Sequence, residues 1–204
     1  MAVKITKDIA KVISNILHPY VVLSLVMAII AYQESSNPGV WIKWAMVALL
    51  SAYAFPLVYM RARIYVVTHT TGSQVRFRSF FRERPNEMAL LACLFGIPSA
   101  TILYFLGYPL SLIATLVGLA ATSLLIALVN RVYRASFHLA LFTSIVVPLV
   151  IIFGLPSLVV VLFIMLLGAS RYYLGEHTPL QLTTGFLLGL MVTTAVFRGF
   201  GILQ

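Results

Sequence analysis

Charge is what this chain has least of. Only 9% of its 204 residues are charged, against about a quarter in a soluble domain. With 61% of residues apolar and a mean hydropathy of +1.03, it cannot be solvated on all sides by water, and so reads as an integral membrane protein. Cysteine is nearly absent as well. The lone Cys93 lies in an apolar stretch, which excludes a disulfide framework and a cysteine-based metal site. At about 20 residues per helical crossing, the length admits seven crossings with short connections. That arithmetic excludes a Rossmann domain, a large extramembrane catalytic module and a sizeable periplasmic or lumenal domain. Internal repeats and low-complexity tracts are not evident either.

Apolar runs cover about 12–33, 39–60, 88–107, 109–130, 137–154, 156–170 and 179–198. They predict an all-α polytopic membrane bundle of six or seven transmembrane helices, a single domain over residues 1–204. The run after Pro156 is short, and Gly107-Tyr108-Pro109 leaves room only for a very tight turn. Pro109 disfavours helix at Tyr108 and suits the first turn of the next helix. Pro98 and Pro148 fall inside spans and are expected to kink them. Met1 to Lys11 is a basic amphipathic segment, expected to be a retained start to the first span and not a removed signal peptide.

The charge that is present is mostly positive: 14 Lys and Arg against 5 Asp and Glu, a net +9. In a soluble protein this would point to nucleic acid. In a membrane protein cytoplasmic loops collect Lys and Arg, so no nucleic-acid partner is expected. Alternating the crossings puts Lys4, Lys7, Lys11, Arg61, Arg63, Arg76, Arg78, Arg82, Arg84, Arg131, Arg134 and Arg171 on one side and only Lys43 and Arg198 on the other, 12 against 2. The positive-inside tendency makes the richer side, with the N-terminus, cytoplasmic, in a cell (inner) membrane.

Three connections on that side, 61–87, 131–137 and 171–178, each lead into a helix and carry arginine, histidine or both. The first ends Arg82-Glu83-Arg84-Pro85, with Pro85 at the first helical position. In the second, Ser136 is a natural N-cap and His138 sits in the first turn. In the third, Thr178 is the N-cap, Pro179 the first helical residue and Gln181 the third, which completes a capping box. Helix starts offer unpaired N–H groups and about half a positive charge, and phosphate is the ligand that suits them and arginine best. With two histidines beside a phosphate ester, one neutral imidazole can attack phosphorus while the other, protonated, supplies the leaving oxygen with its proton. That chemistry needs neither metal nor cofactor.

Ser170-Arg171-x5-His177 resembles the third signature of the type 2 phosphatidic acid phosphatase superfamily, S-R-x5-H-x3-D. Ser136-Phe137-His138 is similar to its P-S-G-H signature, and Arg84-Pro85 to the end of its K-x6-R-P signature. The resemblance spans roughly residues 76–190. It implies that His177 is the nucleophile, that His138 is the general acid, and that Arg171, Arg84, Ser136 and Ser170 bind phosphate. The lysine position falls on Phe77 between Arg76 and Arg78, of which Arg78 is the favoured replacement; Ala135 and Phe137 replace Pro and Gly; Gln181 replaces the aspartate. Arg171-x-Tyr173-Leu174-x-x-His177-Thr178-x-x-Gln181 is similar to the variant in dolichyl-diphosphatase-like members, which carry glutamine there. This implies a polyprenyl phosphate or diphosphate as substrate, with phosphatidate-type lipids next, among surrounding membrane lipids.

A glutamine carbonyl can fix the histidine tautomer but cannot stabilise imidazolium as a carboxylate does, so Glu176 is a candidate source of the missing negative charge. The capping box alone also accounts for Gln181, and an N-cap role for Ser136. Arg61 and Arg63 read as snorkelling, topology-setting charges, Tyr172 and Tyr173 as interfacial aromatics, and His18 and His69 as structural. Two alternatives to a phosphatase stand beside it: a catalytically silent relative that binds or moves a phospholipid head group, and a purely structural membrane subunit. Oligomeric state is left open.

Overall fold

Little inside the apolar runs interrupts a helix, and proline and glycine mark most of the boundaries. The computed structural model describes residues 2–35, 37–71 and 85–203. Its helices are α1 (Ala2–Ile16), α2 (Pro19–Glu34), α3 (Pro38–Thr71), α4 (Pro85–Leu91), α5 (Ile97–Phe105), α6 (Leu110–Val129), α7 (Phe137–Phe153), α8 (Val159–Tyr173) and α9 (Pro179–Gly199). A π-helical turn, Ala92–Gly96, joins α4 to α5, and a 3-10 turn, Leu155–Leu158, precedes α8. Helices α2, α3, α4 and α9 all begin on proline, whose missing N–H and fixed φ suit the first helical position. No strand occurs among the described residues. Five helical stretches there are long and apolar enough to cross a membrane: Lys7–Glu34, Pro38–Thr70, Leu110–Val129, Leu155–Tyr173 and Pro179–Gly199, with Phe137–Phe153 shorter. The chain is an all-helical bundle of the integral membrane type.

Three boundaries differ from the sequence reading. The first apolar run is divided, because His18 precedes Pro19 and takes an extended conformation (φ −67°, ψ 133°), as the proline ring demands of its predecessor. Helix α3 does not stop near residue 60. Its 34 residues extend to about 51 Å at 1.5 Å per residue, well beyond a hydrocarbon layer of about 30 Å. No glycine or proline follows Pro56 in it to end it sooner. Helix α8 runs on past residue 170 to Tyr173, so Arg171 belongs to its last turn and not to the following connection.

The centre of the bundle is α7, in which every residue from Leu139 to Leu149 except Leu141 is buried; a helix surrounded by neighbours has no need of a polar face. Helix α9 lies parallel to it at very short range. A Cβ added at Gly185 would come within 2.4 Å of the Ser136 carbonyl oxygen, and one at Gly189 within 2.3 Å of that of Ala140. One turn further on, Thr193 Oγ1 donates to Ser144 Oγ at 2.8 Å, and Thr122 Oγ1 from α6 does so at 3.2 Å. Small residues every fourth position let backbones approach, and hydroxyls then bond across the seam, the usual means of fastening helices in lipid.

Helices α5, α8 and α9 end on glycines of positive φ, Gly107 (72°), Gly175 (71°) and Gly201 (70°). At Gly107 the glycine N–H bonds to Tyr104 O and the next N–H, of Tyr108, to Leu103 O. At Gly201 the partners are Arg198 O and, from Ile202, Phe197 O. This Schellman closure brings the residue after the glycine back over the one five positions earlier. The tight turn read at Gly107-Tyr108-Pro109 is therefore a glycine-closed helix end, with Tyr108 and Leu103 in one buried apolar cluster.

Candidate functional site

The third helix start is built as its sequence indicates. Thr178 caps α9: its hydroxyl accepts the Gln181 N–H at 3.4 Å, and Gln181 Oε1 accepts the Thr178 N–H at 3.1 Å. The same Oε1 lies 3.3 Å from His177 Nδ1. Because a backbone N–H can only donate, the Gln181 atom it meets must be the carbonyl oxygen, and His177 Nδ1 must then carry the proton. In the neutral ring Nε2 is then the nitrogen without a proton, the form a nucleophile requires. The cap and the tautomer lock are one interaction, not competing explanations of Gln181.

The second helix start meets the third directly. The Ser136 N–H donates to the Gln181 backbone carbonyl at 3.0 Å, and Gly185 one turn along α9 leaves room for the Ser136 carbonyl. Ser136 occupies the N-cap position of α7, but its hydroxyl makes no capping bond. It is wholly buried, and among the described residues Oγ has no hydrogen-bond partner. A buried hydroxyl left unsatisfied costs on the order of 1–3 kcal/mol, and Thr143 Oγ1 of the same helix is in the same position. His138, half-buried, stands edge-on to His18 with ring centroids 5.5 Å apart.

At the end of α8, Gly175 N–H bonds to Tyr172 O at 2.9 Å and Glu176 N–H to Arg171 O at 3.1 Å. The closure folds Glu176 back over Arg171, and the carboxylate pairs with Arg171 Nη1 at 2.5 Å. The same Nη1 donates to Ser14 Oγ of α1 at 3.4 Å. The Arg171 side chain is only 10% exposed, whereas that of Glu176 is 44% exposed. A long cation is thus fixed by the protein while its anion is on the solvent side.

These contacts link Arg171 to Ser14 and Glu176, Gln181 to His177 and Ser136, and His18 to His138, at the starts of α7 and α9 and the end of α8. Ser170 is turned away, its hydroxyl donating to Leu167 O at 2.8 Å within its own helix. Glu176 pairs with Arg171, over which the glycine closure returns it. Arg78 and Arg84 lie outside the described residues. Arg63 is more than a snorkelling charge: it makes a two-atom pair with Glu87 in the first turn of α4, and Tyr59 donates to the same carboxylate at 2.9 Å.

Two features escaped the sequence reading. His18-Pro19 marks a helix start within the first apolar run, and it sets His18 beside His138. The Gly185-x3-Gly189-x3-Thr193 spacing was equally visible and identifies the face of α9 that fits α7. Chemically, a buried arginine, a buried serine hydroxyl, two adjoining helix starts and a tautomer-locked imidazole suit a tetrahedral oxyanion. The chain matches no family model, no curated protein and no solved structure.

Proposed function

We propose that the chain is a membrane-embedded lipid phosphatase that hydrolyses a phosphomonoester or diphosphate of a lipid, polyprenyl before phosphatidate-type, without a metal. The observation that supports this reading is the double use of Gln181 Oε1, which caps α9 and meets His177 at Nδ1, leaving attack on phosphorus to the other ring nitrogen, Nε2. Nε2 bonds to phosphorus as the ester P–O bond breaks, and the departing oxygen takes a proton from His138. Water then attacks the phosphohistidine, gives its proton to His138, and the P–N bond breaks to release orthophosphate and neutral His177. Arg171 and the N–H groups at the starts of α7 and α9 carry the charge on the equatorial oxygens.

Counting the short α7 and the bent path of α4 and α5 with the five longer stretches, the bundle has seven crossings, the site lying at the end toward which the arginines gather, on the cytoplasmic side of the cell membrane. The lipid tail leaves the site between helices, into the bilayer. The test is phosphate release from farnesyl phosphate and farnesyl diphosphate by the full chain in detergent, with a chelator present. Vanadate, a mimic of five-coordinate phosphorus, should inhibit, and full activity in His177→Ala refutes the mechanism. The unsatisfied Ser136 hydroxyl fits equally a relative that binds a head group without turnover, which would retain lipid phosphate on the protein and release none.

A further inference from the structure

We propose that Glu176 is a selectivity residue: an internal monoanion seated on Arg171 that keeps phosphodiester head groups off the site and gives way to phosphomonoesters and diphosphates. The inference rests on the phosphate-binding role assigned above to Arg171. Among the described residues three helices end in the same glycine closure, and in two of them the pair it brings together is apolar, Leu103 with Tyr108 and Phe197 with Ile202. Among these three, the pair is ionic at α8, beside the candidate site. A helix end needs no ion pair to close, so the charges at this one serve something else.

The exposures show which partner can move. Arg171 is enclosed and tied to Ser14 on another helix, whereas the Glu176 carboxylate stands 44% exposed on the connecting turn. A phosphate oxyanion approaching Arg171 meets a carboxylate already in its seat. A membrane surrounds the site with phosphodiester lipids, each carrying a single negative charge on its phosphate. Against these the tethered carboxylate has equal charge and a prepaid position, since the turn holds it at high effective concentration. A phosphomonoester carries a charge of about −1.5 to −2 at pH 7, a diphosphate more, and the stronger attraction to a poorly solvated guanidinium displaces the carboxylate. Once displaced, Glu176 swings into water at little cost, because it is already partly there.

The experiment compares the full-length protein with Glu176→Gln and Glu176→Asp in detergent micelles containing farnesyl phosphate and increasing phosphatidylglycerol, a phosphodiester. Phosphate release by the unsubstituted protein should be nearly indifferent to phosphatidylglycerol, Glu176→Gln should be inhibited at least tenfold more strongly, and Glu176→Asp should recover part of the resistance. Equal inhibition of all three overturns the role of Glu176 and leaves the phosphatase intact. A second readout does not need turnover: protection against thermal unfolding by each lipid. If no phosphate is released but farnesyl phosphate protects both proteins while phosphatidylglycerol protects only Glu176→Gln, the selectivity stands and the hydrolysis falls. If neither lipid protects either protein, both readings fall.

Discussion

At Gly107 and at Gly175 the chain ends a helix with the same two backbone bonds, yet the side chains brought together are of opposite kinds. Tyr108 returns over Leu103 into the apolar core, with both residues buried. Glu176 returns over Arg171, with the arginine buried and the carboxylate half in water. The backbone geometry is indifferent to which pair it closes. An apolar latch removes surface from water and has no reason to open, whereas an ionic one offers a cation that any better anion can claim. The chemistry of the residues four before and one after the glycine therefore separates a structural helix end from one that can take part in binding.

Making the ionic end resemble the apolar one is the strongest way to break this comparison. The double substitution Arg171→Leu, Glu176→Leu should leave thermal unfolding close to that of the unsubstituted protein, because even a fully buried ion pair is often replaced by apolar residues at no loss and a half-exposed one contributes little. Phosphate release should nevertheless fall by about 100-fold or more, the size expected when a charge-assisted contact to the transferring group is lost. A protein that kept its activity would show that the pair is no more than a cap.

A smaller effect is expected from Gly189→Ala on the seam between α7 and α9. Its methyl would overlap the Ala140 carbonyl oxygen, and the helices must part by a fraction of an ångström to accept it. Overpacking of this kind costs about 1–3 kcal/mol, which a thermal melt in detergent should register. Phosphate release should drop as well, because the Ser136–Gln181 bond that joins the two helix starts is strained along with the seam. An unchanged melting temperature would mean that the close approach does not hold the bundle.

The finest test sharpens the comparison by weakening both ends alike. Gly175→Ala and Gly107→Ala place a side chain at φ near +71° and +72° with open space around it, so each should cost only the backbone strain, about 1–2 kcal/mol. Gly175→Ala should also loosen Glu176 and make phosphate release more sensitive to phosphatidylglycerol, whereas Gly107→Ala should lower the melting temperature alone. Identical behaviour of the two in the inhibition assay would erase the distinction.

Much of the fold was legible because lipid imposes a simple rule: each crossing must be apolar and helical over its length. The helix starts at Pro85, Phe137 and Pro179 and the capping box at Thr178 and Gln181 could be read from local chemistry alone. What local chemistry misjudged were places where a neighbour or a turn intervened. Ser136 does stand at the N-cap of α7, but its hydroxyl makes no capping bond, and its N–H donates to α9. Glu176 is adjacent to His177 in sequence, and the glycine closure pairs it with Arg171. Arg171 looks like part of the connection, but its helix runs on to Tyr173.

The sequence by itself determined the solvent of this protein, the positions of its helices, which ends carry cations and which histidine has a glutamine four residues on. Those are properties of hydropathy, of proline and glycine, and of spacing along one helix, and all of them act over a few residues. Only the tertiary structure decided that Ser14 reaches Arg171, that His18 stands beside His138, and that the starts of α7 and α9 share a hydrogen bond. These contacts join residues more than 40 positions apart, and they depend on which helix faces pack together, a choice that small residues permit without naming the partner.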